Sequence, residues 1–423
     1  MIEERKKYSR IFLIMIVCTT LIGGSIRLGF ASLYHFVLFG ILFYLIAPQM
    51  RLVISRNNYI LRFLLLFFLE ALISVVWAPD KGMAFQYIYY VLLIFIMAYL
   101  IDRLCSFENL DFFIAFMVVL LFILNLIGIW ESITNHHIVA GYLSGGRARL
   151  FAYVPAGFFY NANDFSTYIV QIIPFSFVAC LYGKGLIRKL SYLNLFLSVY
   201  VVFRTYARTH IILLMLLFLV FFFMTMKAKK VIRLLCLIIL GLGIVYYVYP
   251  SASDLILDGL SSISSQQIMM SSMEGGSLGT RIALLKNAGM ICLDTFGFGI
   301  GAGCHRVVMK NYSAHYFNAG DTLVMHNLLG EILADYGILI TVFFLYTLVK
   351  SIKSLLLIYK YSSNKKIQSL SIMFIATLCM FLICGISSSS IIPLASMWVT
   401  FCYIGVYIRI CLEKLNCNAY DYE

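Results

Sequence analysis

Arg208, Arg281 and His326 stand out because the text around them is almost wholly apolar. An Arg guanidinium is a planar fork that grips phosphate bidentately, where Lys acts as a point charge. A His with its unperturbed pKa of about 6.5 can take a proton from a hydroxyl near neutral pH. Arg204 precedes Arg208 by one helical turn, and like charges at that spacing repel unless an anion sits between them. Arg147 and Arg149 place two further guanidinium groups in a loop that also carries His136 and His137. Such residues suit an anionic substrate whose negative charge Arg neutralises. No DxD-like pair of acids lies in the same segments, so no metal is expected, and no cofactor motif is present.

The densest of these stretches runs from Gly279 to Gly337. His326 and Asn327 open its last apolar segment, and Glu331 and Asp335 follow at roughly helical intervals, placed to orient an imidazole. The run GFGIGAG at 297–303 offers backbone that can approach a ligand closely. As a dinucleotide signature it is weak, because no parallel-sheet unit surrounds it. Upstream, VPAGFFYNANDF leads into another apolar segment, with Asn163 or Asn161 as its natural N-cap. Each residue also has a plainer role. A single Arg can pair with lipid head groups or with Glu131, Asp254 or Asp321, and a lone His at a membrane boundary can be simply hydrogen-bonded. For the arginines as a group, an anionic substrate is the better account.

The elements that must hold these side chains follow from composition. Of 423 residues, 62% are hydrophobic and only 12% charged, with a mean hydropathy of +0.94. A soluble domain needs more polar cover than this. Apolar segments of the length needed to cross a bilayer recur throughout. The expected fold is an all-α polytopic membrane protein, one integral domain over 1–423. Twelve spans are read at about 9–26, 30–47, 60–78, 84–101, 112–130, 163–182, 190–204, 208–226, 231–249, 327–349, 367–387 and 391–411. The first segment could pass for a signal peptide; without a clear small-residue cleavage site it is read as a retained span. The eleven cysteines are scattered and suggest neither a zinc site nor a disulfide framework.

The net charge of +13 invites a nucleic-acid partner. The distribution argues against one, since most Lys and Arg occupy short connections between spans, where they fix topology. With both termini in the cytoplasm, 22 of the 32 basic residues fall inside. The ten left outside include Arg147, Arg149, Arg204, Arg208 and Arg281, against the general trend, so their presence there needs a reason. The connection 250–326 is the one large extracytoplasmic loop and is too long for a mere linker. Within it, 280–293 is apolar but too short to span, which predicts an interfacial or re-entrant helix with Arg281 at its start and Thr280 as cap. His315 lies in the same loop. Glu70 falls inside the third span, where an ionisable group is either functional or a neutral acid bonded to a helix.

Arg208 at the mouth of a span, GTR at 279–281, GFGIGAG at 297–303 and MHNLLGEILADYG at 325–337 occur in an order that resembles the O-antigen ligase and O-antigen (Wzy-type) polymerase superfamily. SVVWAPD at 74–80, WESITNHH at 130–137 and FFYNANDF at 158–165 are weaker matches. The resemblance implies a GT-C-like, inverting, metal-independent glycosyltransferase at the outer face of the plasma membrane. Its donor would be an undecaprenyl-diphosphate-linked glycan, its acceptor a second glycan, and a chain-length regulator is a partner such a polymerase could have. It further implies that Arg208 and Arg281 hold the diphosphate and that His326 is the general base. Asp294-Thr295-Phe296 stands where the family often has Pro, and TYARTH where Ser-Arg-Gly is commoner. Polymerase is favoured, with ligase or protein O-oligosaccharyltransferase as alternatives. A flippase of lipid-linked glycan is the alternative from another class, disfavoured because the arginines stay at the surface and no internal repeat is apparent.

Overall fold

The computed structural model of the chain describes residues 2–22, 27–28, 31–46, 54–139, 153–226, 277–319, 323–387 and 390–420. These residues form thirteen α-helices: α1 (Ile2–Ile22), α2 (Leu33–Ile46), α3 (Tyr59–Ser74), α4 (Lys81–Leu104), α5 (Leu110–Thr134), α6 (Ala162–Tyr182), α7 (Gly185–Arg204), α8 (Arg208–Thr225), α9 (Ser277–Asp294), α10 (His305–Asn311), α11 (Leu328–Tyr361), α12 (Lys365–Ser387) and α13 (Ala395–Tyr420). A 3₁₀ turn at Phe107–Asn109 and a two-residue ladder pairing Arg27 with Ser32 complete the regular elements among the described residues. Among the described residues, eight helices are long and apolar enough to cross a membrane. The protein is a multi-pass helical membrane protein. Eleven of the twelve expected spans coincide with helices. The ninth, 231–249, lies outside the described residues, as do Arg147, Arg149 and the first part of the large loop.

Local chemistry sets the helix ends. Asn58 and Asp80 accept from the N–H groups of Leu61 and Met83, each at 3.0 Å, which caps α3 and α4. Asn161, rather than Asn163, caps α6, accepting from Asn163 N at 2.8 Å. Asn135 closes α5 in the left-handed conformation, φ 58°. The bundle core is aromatic, with Phe113 stacked on Tyr403 at a centroid distance of 3.8 Å and Phe374 edge-on to Tyr407. Polar seams stitch the helices where apolar surface gives little directional preference. Asn125 donates to Ser198 Oγ at 3.0 Å, and Asn194 donates to the Val118 carbonyl at 2.8 Å. At the end of the bundle away from the arginines, Asp102 accepts from both Arg409 Nε and Asn58 Nδ2 at 2.8 Å, which ties α4 to α13 and α3.

At the opposite end, helix α11 is broken. Gly337 has φ 81° and ψ −177°, outside the helical region. The break frees the Ala334 and Asp335 carbonyls from their helical partners, and the glycine run moves in to take them. Ile300 N donates to Ala334 O at 2.8 Å, Gly301 N donates to Asp335 O at 2.9 Å, and Ile338 N donates to Gly297 O at 2.8 Å. The same run is held from its other side by α3, through Trp77 Nε1 to Gly299 O at 2.9 Å and Ala302 N to Ser74 Oγ at 3.1 Å.

This corrects the expectation that the run is free backbone for a ligand. A Cβ on Gly299 would stand 2.5 Å from Gly337 N, and one on Gly303 would stand 2.2 Å from the Tyr87 ring. The glycines are needed because loop backbone and membrane helices approach closer than any side chain permits. Gly337→Ala would force a left-handed residue and place a Cβ 2.2 Å from Gly297 O. It is expected to cost on the order of 1–3 kcal/mol or more. Gly40→Ala, where nothing lies within 4 Å, should leave the protein unchanged or slightly more stable. Thermal unfolding of the two variants in detergent checks the contrast.

Candidate active site

Of the sequence-predicted residues, Arg204, Arg208, Arg281 and Asn163 lie around the start of α8, and Met325 beside His326 packs against α9, whereas Arg147 and Arg149 lie outside the described residues. Arg208 is exposed at the first position of α8. Two residues later His210 is buried, its Nε2 2.6 Å from Thr167 Oγ1 at the start of α6. Arg281 on α9 lies close enough to His210 for its charge to act on the imidazole. The loop helix therefore brings Arg281 to the mouth of the span that Arg208 begins. α9 starts at Ser277, so Thr280 and Arg281 sit just inside it rather than at its cap. Arg281 is half-buried, and burial pulls its guanidinium down from its usual pKa. Among the described residues no carboxylate forms an ion pair with it.

A helix, α9, does cover the stretch expected to be helical at 280–293. α9 buries Ala283, Leu284, Ala288 and Ile291 against Met309, Met325 and Ala334, and leaves Ile282, Leu285 and Leu293 exposed. Asn287 anchors the loop beyond it, donating to Phe317 O at 2.9 Å and accepting from Phe317 N at 2.8 Å. His315 and Tyr316 both bond Asp294 Oδ2, at 3.0 and 3.3 Å, which fastens the loop to the end of α9. The Asp294 charge and partial burial push the Tyr316 phenol up to about 12, burial being the larger cause. His315 is thus part of the loop's framework. Glu70 is part-buried on α3.

His326 holds a left-handed backbone, φ 45°, immediately before α11. Asn327 is the N-cap, its side chain accepting from Gly330 N at 3.1 Å. A positive φ at a non-glycine residue costs free energy and persists where the surroundings demand it. Here the cap turns the chain sharply and presents His326 beside the first turn of α11.

The two carboxylates read as partners of His326 are engaged elsewhere. Asp335 accepts at Oδ1 from His305 N (2.9 Å) and at Oδ2 from His305 Nδ1 (2.8 Å). Glu331 Oε1 accepts from Ser390 Oγ. All three of His305, Glu331 and Asp335 are fully buried. Their ligand-type atoms lie within 4.8 Å of one another, a spacing that could hold a metal ion. Both oxygens of Asp335 are already bonded to His305, however, so the cluster also works as a clamp fixing the glycine run to α11. No local signal marks this role for His305 beyond its position two residues after the run.

Two other residues have structural work that spacing alone did not disclose. Arg204 NH2 donates to the carbonyls of Tyr153 (3.2 Å) and Ser132 (3.4 Å), so it joins the ends of α5 and α7 to the segment entering α6. It was expected to face an anion with Arg208, and the carbonyls supply the compensation instead. Glu131 is fully buried and accepts from Ile138 N at 3.0 Å, Ala156 N at 2.7 Å and Gly157 N at 2.8 Å. It organises the loop before α6 by holding backbone donors, not by pairing with an arginine. Asn163 is part-buried in the first turn of α6, and its carbonyl accepts from the Ser166 and Thr167 hydroxyls.

A bundle of long apolar helices with a loop helix packed against one end defines a class, multi-pass helical membrane proteins. Comparison with known proteins sharpens it. A family described as O-antigen ligase matches residues 193–345, from within α7 to within α11. The chain is also 26% identical over 411 residues to the teichuronic acid biosynthesis protein TuaE of Bacillus subtilis (strain 168), covering 94% of this chain and 83% of that protein. The chain is thus similar, over 193–345, to the O-antigen ligase family and, over most of its length, to a teichuronic acid biosynthesis protein, in keeping with the O-antigen ligase and polymerase superfamily.

Since Arg204 bonds two carbonyls, its loss should act on stability before it acts on ligand binding. Arg204→Ala is expected to lower stability by about 1–3 kcal/mol, while Arg208→Ala, at an exposed helix start, should leave the unfolding midpoint near that of the parent protein. Scanning fluorimetry of both variants at one detergent concentration checks this.

Proposed function

We propose that this protein is a polymerase of polyprenyl-diphosphate-linked oligosaccharide repeat units and that the reaction occurs at the arginine end of the bundle, outside the cytoplasm. The observation that carries the reading is Arg281, half-buried, without a carboxylate partner among the described residues, and held by α9 beside the helix that Arg208 begins. Charge kept part-buried without a counter-charge is unfavourable until an anion arrives. A diphosphate fits two guanidinium forks, which neutralise the leaving group as the glycosidic C–O bond breaks. His326 then takes the proton from the acceptor hydroxyl as that oxygen attacks the anomeric carbon from the opposite face, inverting its configuration. Arg147 and Arg149 are assigned to the same anionic surface on sequence grounds, and Asn327 and Asn163 to supporting contacts with substrate. The relative's role in teichuronic acid biosynthesis supports a surface polysaccharide as product.

Replacing Arg281 by Lys keeps the charge and removes the planar fork. A charge-assisted hydrogen bond contributes about 1.5–3 kcal/mol, or roughly ten- to a hundred-fold in rate. Arg281→Lys and Arg208→Lys should each be nearly as damaging as the Ala variants, whereas Lys310→Ala should matter little. His326→Ala should retain donor binding and lose transfer. Donor affinity and turnover in nanodiscs, at matched protein amounts, measure both. Near-normal turnover in Arg281→Lys and His326→Ala together would remove the catalytic assignment.

The arginine mechanism also requires that turnover on purified lipid-linked substrate survive EDTA. Loss of activity on chelation, with recovery on adding Mg²⁺ or Mn²⁺, would contradict it and direct attention to His305, Glu331 and Asp335.

A further inference from the structure

A cavity of about 480 Å³ opens beside the arginine end and takes no part in the chemistry described so far. Its walls come from the end of α1, the start of α2, the first half of α4, residues 158–160 before α6 and residues 392–396 at the start of α13. On the sequence-derived topology every one of these segments lies on the same side of the membrane as Arg208 and His326. The cavity is also joined to the site through shared elements. Ser390, whose hydroxyl bonds Glu331 in the first turn of α11, is two residues from the lining residue Ile392. Gln86 and Tyr90 in the wall flank Tyr87, which feels the charges of Glu331 and Asp335.

The lining has a particular chemistry. Tyr89, Tyr90, Phe158 and Tyr160 contribute aromatic rings, and His35 and Gln86 stand among them. His35 packs edge-on to Tyr89 at 5.1 Å, and its Nδ1 accepts from Ser32 N at 3.2 Å, which leaves Nε2 as the N–H donor. Gln86 Nε2 donates to Tyr90 Oη at 2.7 Å, fixing the amide and leaving its carbonyl oxygen as an acceptor. A pyranose has this dual character, a face of C–H groups that lies on an aromatic ring and a rim of hydroxyls that donate and accept. An isoprenoid chain would have no use for the amide, imidazole or phenols. The cavity's size falls within the range of roughly 300–1,000 Å³ typical of small-ligand sites. Its place at the helix ends is where a glycan, rather than a lipid tail, travels.

We propose that this cavity is a carbohydrate subsite that holds sugar units of the glycan substrate by stacking and hydrogen bonding, apart from the arginines that hold diphosphate. The inference rests on the polymerase reading for the identity of its ligand, but its test does not depend on turnover. The probe is the water-soluble oligosaccharide released by mild acid from the host's own lipid-linked precursor, titrated against the full chain in nanodiscs and read by saturation-transfer NMR. Undecaprenyl phosphate, which carries no sugar, is the second probe. Tyr90→Ala and Gln86→Ala should weaken oligosaccharide binding at least ten-fold and leave undecaprenyl phosphate binding within two-fold. Tyr90→Phe should retain most of the affinity, because the ring remains.

Unchanged oligosaccharide binding in both Ala variants would overturn the proposal. Selective loss of undecaprenyl phosphate binding would also overturn it, because the cavity would then hold lipid. Equal loss of both probes, with a lowered unfolding midpoint, would count against it as a packing effect. If His326→Ala abolishes transfer while the cavity variants bind sugar normally, the subsite fails and the polymerase reading stands. If the cavity variants lose sugar but the His326 and Arg281 variants turn over normally, the reverse holds.

Discussion

The interaction on which this structure depends is the exchange of backbone hydrogen bonds between a broken membrane helix and a loop of glycines. Buried carbonyls must find donors, and at Gly337 the helix gives up its own. Ile300 and Gly301 supply replacements, and His305 then bonds Asp335 through both its main chain and its ring. Everything that brings the loop to the bundle follows from this lock. α9 packs on one side of it, α3 grips it on the other through Ser74 and Trp77, and α10 leads away from it. With the lock in place, Arg281 is delivered to α8 and His326 to the start of α11.

Three layers of polar bonding can be told apart at this end of the bundle. The innermost is the buried His305–Asp335 pair with Glu331 and Ser390, which works on geometry. The next is a set of main-chain anchors: Glu131 on the loop before α6, Arg204 on the ends of α5 and α7, Asn287 on the chain after α10. The outermost consists of Arg208 and Arg281 with His326, and it is the layer where proposed chemistry and exposure coincide. A guanidinium that bonds two carbonyls, as in Arg204, is stabilised by the fold, whereas Arg281 has no carboxylate partner among the described residues.

Much of this was legible in the sequence, for reasons that can be stated. The spans were, because a bilayer demands long apolar segments and the described helices coincide with them. The loop helix α9 was, because the apolar stretch at 280–293 is helical in length though too short to cross. The family's order of motifs was, since it survives in one dimension. What the sequence hid were partners distant in the chain. The glycines read as freedom, and they turned out to be tightness, because nothing local shows Tyr87, Ala78 or Gly337 closing on them. Glu331 and Asp335 lie at helical spacing from His326, yet a histidine from the loop reaches Asp335 first. Arg204 and Arg208 share a spacing that suggested a joint task, and only the fold reveals the carbonyls that occupy Arg204.

The break in α11 also bears on length. A continuous α-helix of 34 residues would run about 51 Å, well beyond the hydrocarbon thickness of about 30 Å. The part after Gly337, residues 338–361, is about 36 Å long, but it carries Lys350, Lys353 and Lys360, so its far half extends past the bilayer. The apolar stretch 338–349 reaches only about 18 Å, so the turns before the break stay part of the crossing that hydropathy placed at 327–349. Those turns, some 13 Å long, form a separate segment whose direction is set by the kink at Gly337, and His326 stands at its start.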